Sequence, residues 1–532
     1  MPAVRDGTLT STCPTYICAM LCALLKYIYQ TILYKHVPYP YRAICQRMNL
    51  ERDLQDMREY YRSGKTKEAS WRKLQLQRLK AFLKEKERDI YRALNQDLGK
   101  HHVEAFRDEI GVLQKSINFA LQNLKEWMSS KKAKLPAVAV LSYAEIVPEP
   151  LGLVLIISSW NFPIGLSLEP LIGAIAAGNT VVLKPSELAS ASSSLLANAL
   201  PTYIDSKAIK VIEGGPAVGE HLLQQKWDKI FFTGSTRVGR MVMSAAVKHL
   251  TPITLELGGK CPAIIDSLTS SWDKEAAVKR IIVSKYGPCA GQACIAIDYL
   301  LVEEKFTSTL VELLKVHIKK MLGENPRKSN SIARIINKHH FSRLKNLLND
   351  PMVKDSIVYG GSVDEANLFI EPTVLVDPPL QAAIMTEEIF GPLLPIITLK
   401  RIEDSIDFIN SRPKPLVIYA FTKNERLQRR MVSETSSGSI VFNDAVIQFV
   451  ADTLPFGGIG ESGIGSYHGK FSFDAFSHHK PVVRRSYLSE IWFRFPPWNN
   501  YKLQLFELVY NYDYLGMLLV ILGLKRPRKV AI

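Results

Sequence analysis

Cysteine is scarce in this chain: seven residues in 532, three of them crowded between positions 13 and 22. An odd, clustered set makes no disulfide framework and points to a reducing compartment. There is no Cys-x-x-Cys pair and no His-rich tract, so no metal site is expected. Zinc-finger spacing, basic heptads and RNA-binding motifs are also missing, which sets nucleic acid aside as a partner. No apolar run reaches the ~20 residues that a spanning helix needs. Internal repeats and long low-complexity segments do not occur. With 47% hydrophobic and 22% charged residues, the composition excludes a disordered chain. A length of 532 residues calls for two or three domains. The net charge of +16 suggests an acidic partner, either an anionic membrane surface or a polyanionic ligand.

Residues 1–47 differ in character from the rest of the chain. Their apolar stretch Tyr16-Ile17-Cys18-Ala19-Met20-Leu21-Cys22-Ala23-Leu24-Leu25 stops at Lys26. A signal peptide, a transit segment, an interfacial helix and an upstream start site all remain open, since Met48 would itself make a plausible amino terminus. From about residue 50 to 130 apolar residues recur at helical spacing among many Lys, Arg and Glu. Helices are expected around Trp71 to Leu83 and Ile117 to Trp127, their charges forming solvated faces. Lys131-Lys132-Ala133-Lys134 reads as a basic connector, and Ala137 to Val147 as a strand.

Residues 150–260 alternate strand and helix, the pattern of a parallel sheet with crossovers. The strands are Leu153 to Ile157, Thr180 to Leu183, Lys210 to Ile212 and Ile230 to Thr233. Alternation resumes from 260 to about 440, and a glycine-rich stretch comes next, near 450.

Candidate chemistry falls at the edges of these strands. Gly291-Gln292-Ala293-Cys294 places a thiol on a tight turn ahead of the strand Tyr299 to Val302. A thiolate there is a strong nucleophile, although a lone cysteine is more often a small buried hydrophobe. Gly234-Ser235-Thr236-Arg237-Val238-Gly239 leads a strand into a helix amino terminus, which favours a pyrophosphate; the alternative is a tight connection. Its spacing is neither the dinucleotide fingerprint nor a P-loop. Lys184 and Glu187 follow a strand end, where they can grip ribose hydroxyls or simply form a capping loop. Asn161, in Trp160-Asn161-Phe162-Pro163, can donate to an oxyanion or form a turn. Glu256 stands alone among apolar residues, which suits either a base of raised pKa or a salt-bridged structural role. Glu388 and Phe390 place an acid beside an aromatic ring.

Taken in order, Asn161, Lys184 with Glu187, Gly234 to Gly239, Glu256, Cys294, Glu388 with Phe390, and Asn443 before Pro455-Phe456-Gly457-Gly458 resemble the aldehyde dehydrogenase superfamily. The resemblance covers roughly residues 65–485. Tyr467-His468-Gly469-Lys470-Phe471-Ser472-Phe473-Asp474-Ala475-Phe476-Ser477-His478 is similar to the class 3 branch, which includes fatty aldehyde dehydrogenases, and to its plant members most of all. This implies an α/β fold: a Rossmann-type NAD-binding domain, an α/β catalytic domain and a small β element for bridging and oligomerisation. The implied division is an extension at 1–47, an NAD-binding domain at 48–258 with bridging strands from 136–150, and a catalytic domain at 259–440. A return to the core with an oligomerisation strand comes at 441–490, then a tail at 491–532.

The resemblance also implies the chemistry, the oxidation of medium or long-chain aldehydes to acids. Cys294 attacks the aldehyde, Asn161 and the Cys294 amide hold the oxyanion, hydride passes to the nicotinamide, and Glu256 activates the water that hydrolyses the thioester. Lys184 and Glu187 would hold the adenosine ribose, with Gly234, Ser235 and Gly239 around the pyrophosphate. Glu388 would hold the nicotinamide ribose, and Phe390 would lie near its ring. Glu187 favours NAD, with NADP tolerated. An aromatic or short semialdehyde substrate and a catalytically silent relative are the alternatives. A homodimer is implied, and a cytoplasmic or membrane-associated location, including the endoplasmic reticulum, with organelle targeting by residues 1–47 left open.

Two features depart from the type or extend it. Related enzymes usually carry asparagines where Cys289 and Ala290 stand, after Pro288, and Pro-Asp where Ile297-Asp298 stands. Cys289 is expected to be a packing residue, with oxidative pairing to Cys294 as the alternative. At the carboxyl end, Leu515-Gly516-Met517-Leu518-Leu519-Val520-Ile521-Leu522-Gly523-Leu524 is too short to span a bilayer. Followed by Lys525-Arg526-Pro527-Arg528-Lys529, it suits peripheral contact with an anionic membrane, or docking on a dimer partner.

Overall fold

A computed structural model of the chain describes residues 39–136, 139, 142–487 and 490–524. The chain divides into two compact units, residues 1–59 and 60–532. The first is described from Tyr39 onward, as helix; the helix Tyr39–Arg62 contains the expected boundary at residue 48. Expectations about residues 1–38 lie outside the described residues, as does the basic cluster at 525–529.

In the second unit β1 (Lys131–Ala133) and β2 (Ser142–Pro150) precede β3 (Leu153–Ile157), β4 (Thr180–Lys184) and β5 (Ile209–Val211). β6 (Lys229–Thr233), β7 (Ile253–Glu256), β8 (Pro262–Ile265) and β9 (Tyr299–Glu303) follow. Next come β10 (Ile357–Tyr359), β11 (Val363–Asp364), β12 (Phe369–Ile370), β13 (Thr373–Val376) and β14 (Leu393–Leu399). β15 (Val417–Phe421), β16 (Ser439–Phe442), β17 (Gly463–Ile464) and β18 (Ser477–Arg485) complete the set.

Three sheets matter here. The first runs β17-β7-β6-β3-β4-β5 and is parallel except for β17, which pairs antiparallel with β7. Chain order reverses between β3 and β6, so the carboxyl ends of those strands form the switch point at which doubly wound sheets bind nucleotides. β3, β4 and β6 are buried at every position, which is why their middles read as apolar runs. The second sheet runs β10-β13-β14-β9-β8-β15-β16 and is parallel apart from β10. The third is the antiparallel ribbon β1-β2-β18, with Ser142 to Pro150 of β2 in continuous register with Arg485 to Ser477 of β18.

Two expectations need correction. The stretch around Lys131 is no connector: Lys131 to Ala133 pair with Ile146 to Ala144 as an edge strand, where lysines discourage further pairing. The charges of the amino-terminal helical region are not all solvated either. Arg72, Lys100, Glu104 and Glu109 are buried, because each has polar partners inside the protein. Arg72 alone donates to the carbonyls of Thr66, Lys67 and Ala176. The strand expected over 137–147 begins at Ser142, and of residues 137–141 only Ala139 is described.

The class 3-like motif near residue 470 forms the helix Gly469–Ala475, which meets the buried helix Gly165–Ala177 at Gly173. A Cβ on Gly173 would stand 2.5 Å from Ser472 Cβ and 3.1 Å from its carbonyl carbon. Gly173→Ala should therefore lower unfolding free energy by about 1–3 kcal/mol, the usual cost of overpacking a tight contact. Urea titration of the variant is the check, and an unchanged midpoint would refute so close an approach.

Candidate active site

The two large sheets present opposite ends to one cleft. β7 ends at Glu256, and after the short segment 257–261 the chain starts β8. Asn161, Lys184, Gly234 and Glu256 lie at or just beyond carboxyl ends of first-sheet strands, whereas Cys294 and Glu388 precede the amino ends of β9 and β14. The glycine-rich return forms β17 against β7, placing Gly463 opposite Glu256. The Leu257 amide then donates to Ser462 O at 3.1 Å, which fixes the strand end that carries Glu256.

The nucleophile's turn is left-handed. Cys289 (φ 52°, ψ 36°) and Ala290 (φ 52°, ψ 40°) precede Gly291 (φ 79°), so two side-chain-bearing residues occupy a region that favours Gly and Asn. This gives the departure in sequence a physical meaning: Asn tolerates that conformation better than Cys or Ala. Gln292 holds the turn in place. Its Nε2 donates to Cys289 O at 2.9 Å and Arg334 O at 2.9 Å, and its Oε1 accepts from the Ile336 amide at 3.1 Å. The Cys289 amide donates to Glu104 Oε1 at 2.8 Å. Cys289 itself is fully buried with Leu98, Trp160 and Ile336, the packing role expected of it.

Asn161 is drawn to the same turn. Its Nδ2 donates to Gln292 O at 2.9 Å, and its own carbonyl accepts from Lys100 Nζ at 2.8 Å. Lys100 pairs with Glu109 at 2.7 Å with both side chains inaccessible to solvent. Glu109 also accepts from the amides of Ile164 and Gly165, at the start of the helix that follows Asn161. Lys100, Glu104 and Glu109 are absent from the candidates drawn from sequence. Their one signal there is that they are charges flanked by the buried Leu98, Ala105, Ile110 and Leu113.

Cys294 and Glu256 share a cavity of about 330 Å³. Thr233 and Tyr467 join them at its buried end, while Phe162, Leu166, Phe449 and Phe456 give apolar walls. Both Glu256 oxygens and Thr233 Oγ1 are buried without a hydrogen-bond partner among the described residues. Burial holds the Glu256 carboxyl well above the ordinary carboxylate range. The Cys294 thiol is pushed up to about 12, first by burial and then by the nearby carboxyls of Glu388 and Glu256. The amides of Cys294 and Ile295, aimed at the sulfur, oppose that rise. Without coenzyme, then, the resting form is the thiol.

The coenzyme-side residues fall on two edges. Lys184 Nζ is buried and donates to Glu187 Oε2 at 2.9 Å. A Cβ on Gly234 would stand 2.5 Å from Phe232 Cζ, so only glycine leaves this cradle its shape. Ser235 caps the helix Thr236–Val247, its Oγ accepting from the Val238 amide at 3.4 Å. A Cβ on Gly239 would approach Leu257 Cδ2 to 2.8 Å, so this glycine lets the helix lie close to the strand end. An exposed helix amino terminus at the switch point, behind a glycine that a side chain could not replace, fits a dinucleotide pyrophosphate.

Glu388 lies over Gly258, where an added Cβ would run into its carboxylate. Burial, then the charge of Asp298, raises it to about 8. Its loop is clamped from two sides. Arg343 donates to the carbonyls of Glu388 and Ile389, and Asp298 Oδ1 accepts from the Ile389 amide at 3.0 Å. Lys260 pairs with Asp298 and reaches Glu387 O at 3.0 Å. Phe390, at φ 50°, sets its ring edge-on to Trp160 at 5.3 Å.

A doubly wound nucleotide-type sheet facing a cysteine-bearing apolar chamber, with a carboxyl group beside the thiol, is the architecture of a coenzyme-dependent aldehyde oxidoreductase. The sequence model of the aldehyde dehydrogenase family matches residues 42–482. Aldehyde dehydrogenase family 3 member F1 of Arabidopsis thaliana is 55% identical over 477 residues, 90% of this chain and 99% of that protein. Family 3 member A2 of Rattus norvegicus is 44% identical over 450 residues, covering 84% and 91%. The structure of the substrate-bound state of Staphylococcus aureus AldH superposes with a TM-score of 0.82 at 40% identity, covering 88% of this chain and 99% of that one. The chain belongs to the aldehyde dehydrogenase family, within its class 3 branch. It oxidises aldehydes to carboxylic acids with NAD or NADP.

A thiol held this high ionises progressively through the experimental range. Alkylation of Cys294 by iodoacetamide in the coenzyme-free enzyme should rise about tenfold per pH unit between neutrality and pH ~9. Mass-spectrometric rates at that residue give the profile, and a plateau near neutral pH would show the assigned electrostatics to be wrong.

Proposed function

We propose that the enzyme acts on medium and long-chain aliphatic aldehydes with NAD as coenzyme. The observation that carries this reading is the chamber itself: an apolar passage of about 330 Å³ that ends on Cys294. Apolar surface removed from water contributes about 0.8 kcal/mol per methylene, so affinity should grow with chain length until the passage is filled.

In the mechanism Cys294 Sγ attacks the aldehyde carbon and forms a thiohemiacetal. The Asn161 amide and the Cys294 N–H donate to its oxyanion. The nicotinamide, when bound, supplies the hydride acceptor. Cys294 is left as a thioester, and Glu256 takes a proton from the water that hydrolyses it; its desolvated carboxylate is a stronger base than an exposed one. Lys184 and Glu187 would hold the adenosine ribose, and a carboxylate at Glu187 favours free hydroxyls over a 2′-phosphate. Gly234, Ser235 and Gly239 would shape the pyrophosphate cradle, and Glu388 and Phe390 the nicotinamide end.

The surface supports two further parts of the proposal. Met243, Val247 and Leu250 form an exposed apolar stripe along and just past the helix Thr236–Val247, and β18 is an open sheet edge. Both suit a homodimer. In the tail, the helices Asn500–Tyr510 and Tyr514–Ile521 bury a small cluster around Leu505 and Val520, yet leave Trp498, Leu515, Leu518 and Leu522 exposed. No helix among the described residues is long and apolar enough to cross a membrane. Such an apolar face, with Lys525 to Lys529 next in sequence, suits peripheral attachment to the anionic cytoplasmic side of a membrane.

Two experiments test these readings. NADH formation should show kcat/KM rising from propanal to decanal, while Cys294→Ala should lose turnover and keep NAD binding. Equal rates across the series, or activity without the thiol, would contradict the proposal. The enzyme should also co-sediment with vesicles containing phosphatidylserine more than with neutral ones. Replacing Leu515, Leu518 and Leu522 by Ser should release it, and unchanged sedimentation of that variant would exclude the tail as anchor.

A further inference from the structure

The chamber's lining grades from buried to exposed, which identifies its mouth. Glu256 and Tyr467 are buried and stand with the half-buried Cys294 at the inner end, whereas Val283, Ile447 and Val450 are 46%, 54% and 44% exposed. Arg107, with its side chain 49% exposed, stands among the latter, and Asp108 lines the same wall. Among the described residues, Thr233, Glu256, Cys294 and Tyr467 bring polar atoms to the inner end, and Arg107 and Asp108 are the only charged side chains on the rest of an otherwise apolar lining.

Their presence together has a local cause. Residues 107 and 108 lie in a π-helical turn, Phe106–Ile110, between the helices His102–Ala105 and Gly111–Met128. Consecutive residues of an α-helix diverge around its axis; the extra residue of a π turn changes that spacing, and such turns recur at functional sites. Asp108 accepts from Arg107 Nε at 2.5 Å and Nη2 at 2.6 Å. That bond sets the plane of the guanidinium and leaves Nη1 outside the pairing. A flexible cation is thereby converted into an oriented one at the mouth of an apolar passage whose inner end carries the thiol.

Resting on the substrate chamber proposed above, we propose that Arg107 reads the distal end of the aldehyde. The favoured class is then ω-oxo carboxylic acids whose chain is long enough to run from Cys294 to the mouth. Their carboxylate accepts a charge-assisted hydrogen bond from Arg107 Nη1 while their methylenes fill the apolar walls. Asp108 orients the guanidinium and also tempers its charge, so removing that carboxylate should strengthen the preference for an anionic end. The reaction at the aldehyde end is unchanged, and the product is a dicarboxylic acid.

The test compares kcat/KM for decanal with that for the ω-oxo acid of the same chain length, in the full-length enzyme and three variants. Arg107→Met should lower the ratio of acid to alkanal by about fivefold, the scale expected of a half-exposed ion pair. Arg107→Lys should retain most of it, Asp108→Asn should raise it, and added NaCl should depress it in every form that keeps the cation but not in Arg107→Met. A ratio indifferent to Arg107→Met overturns this inference while the alkanal series still rises with length. Should neither series rise with length, the chamber reading itself fails, which separates the two outcomes.

Discussion

The hydrogen bonds of one amide side chain, that of Gln292, underlie the whole site. Two residues with Cβ atoms sit left-handed at Cys289 and Ala290, at about 1–2 kcal/mol each. Three hydrogen bonds from the Gln292 side chain and one from the Cys289 amide, at about 1 kcal/mol each, offset this. The strain and its compensation are of similar size. The turn therefore persists only where all four partners are in place. One of them, the Cys289 carbonyl, belongs to the turn itself; the other three come from distant parts of the chain, Glu104 from the amino-terminal helices, and Arg334 and Ile336 from the loop ahead of the helix Lys338–Asn349. The nucleophile is thus held by the packing of the whole second unit rather than by its own sequence neighbourhood.

The same turn joins the halves of the catalytic arrangement. Asn161, from the carboxyl end of β3, donates to the Gln292 carbonyl, and Lys100 behind it locks the Asn161 backbone. Four residues past Cys294, Asp298 accepts from the Ile389 amide and pairs with Lys260, which lies four residues past Glu256. A displacement of the thiol relative to either carboxyl group would have to break a buried, charge-assisted contact. Breaking such a pair by removing one partner generally costs several kcal/mol, since the other is left charged and desolvated. Rigidity of this kind is what keeps donor, thiol and base at bonding distance from one small carbonyl.

Much of this was legible in sequence, for definite reasons. β3 is apolar throughout and β4 and β6 are apolar between polar ends because every position is buried, and strand ends can be read from where the runs stop. Glycines at 234 and 239 and the cysteine at 294 were visible as residue types that their positions demand. The hidden part is the buried charge. Arg72, Lys100, Glu104 and Glu109 look like any solvated helical charge, because their burial depends on partners 55 to 185 residues away or on carbonyls that carry no residue identity. The π turn at Phe106–Ile110 is silent for the same reason, since one inserted residue changes facing without changing composition. Lys131 to Ala133 misled in the opposite sense: a charged tripeptide becomes a strand because its partner β2 supplies the ladder.

The chamber's electrostatics bear on how a half-buried thiol can serve as a nucleophile. Desolvation is the largest cause of the rise at Cys294, Glu256 and Glu388, and the two carboxyls add to it at the thiol. A negative charge on either carboxyl therefore disfavours the thiolate. Forming the thiolate by losing a proton to solvent adds charge to a medium that resists it. A neutral carboxyl beside the sulfur lowers that cost, and the raised pKa of Glu256 and of Glu388 keeps both largely protonated near neutral pH. The amides of Cys294 and Ile295 then favour the sulfur as the place where the single charge rests. Burial therefore does two things at once: it keeps the idle thiol protonated against stray electrophiles, and it keeps the adjoining carboxyl groups from adding negative charge beside the sulfur when the reaction begins.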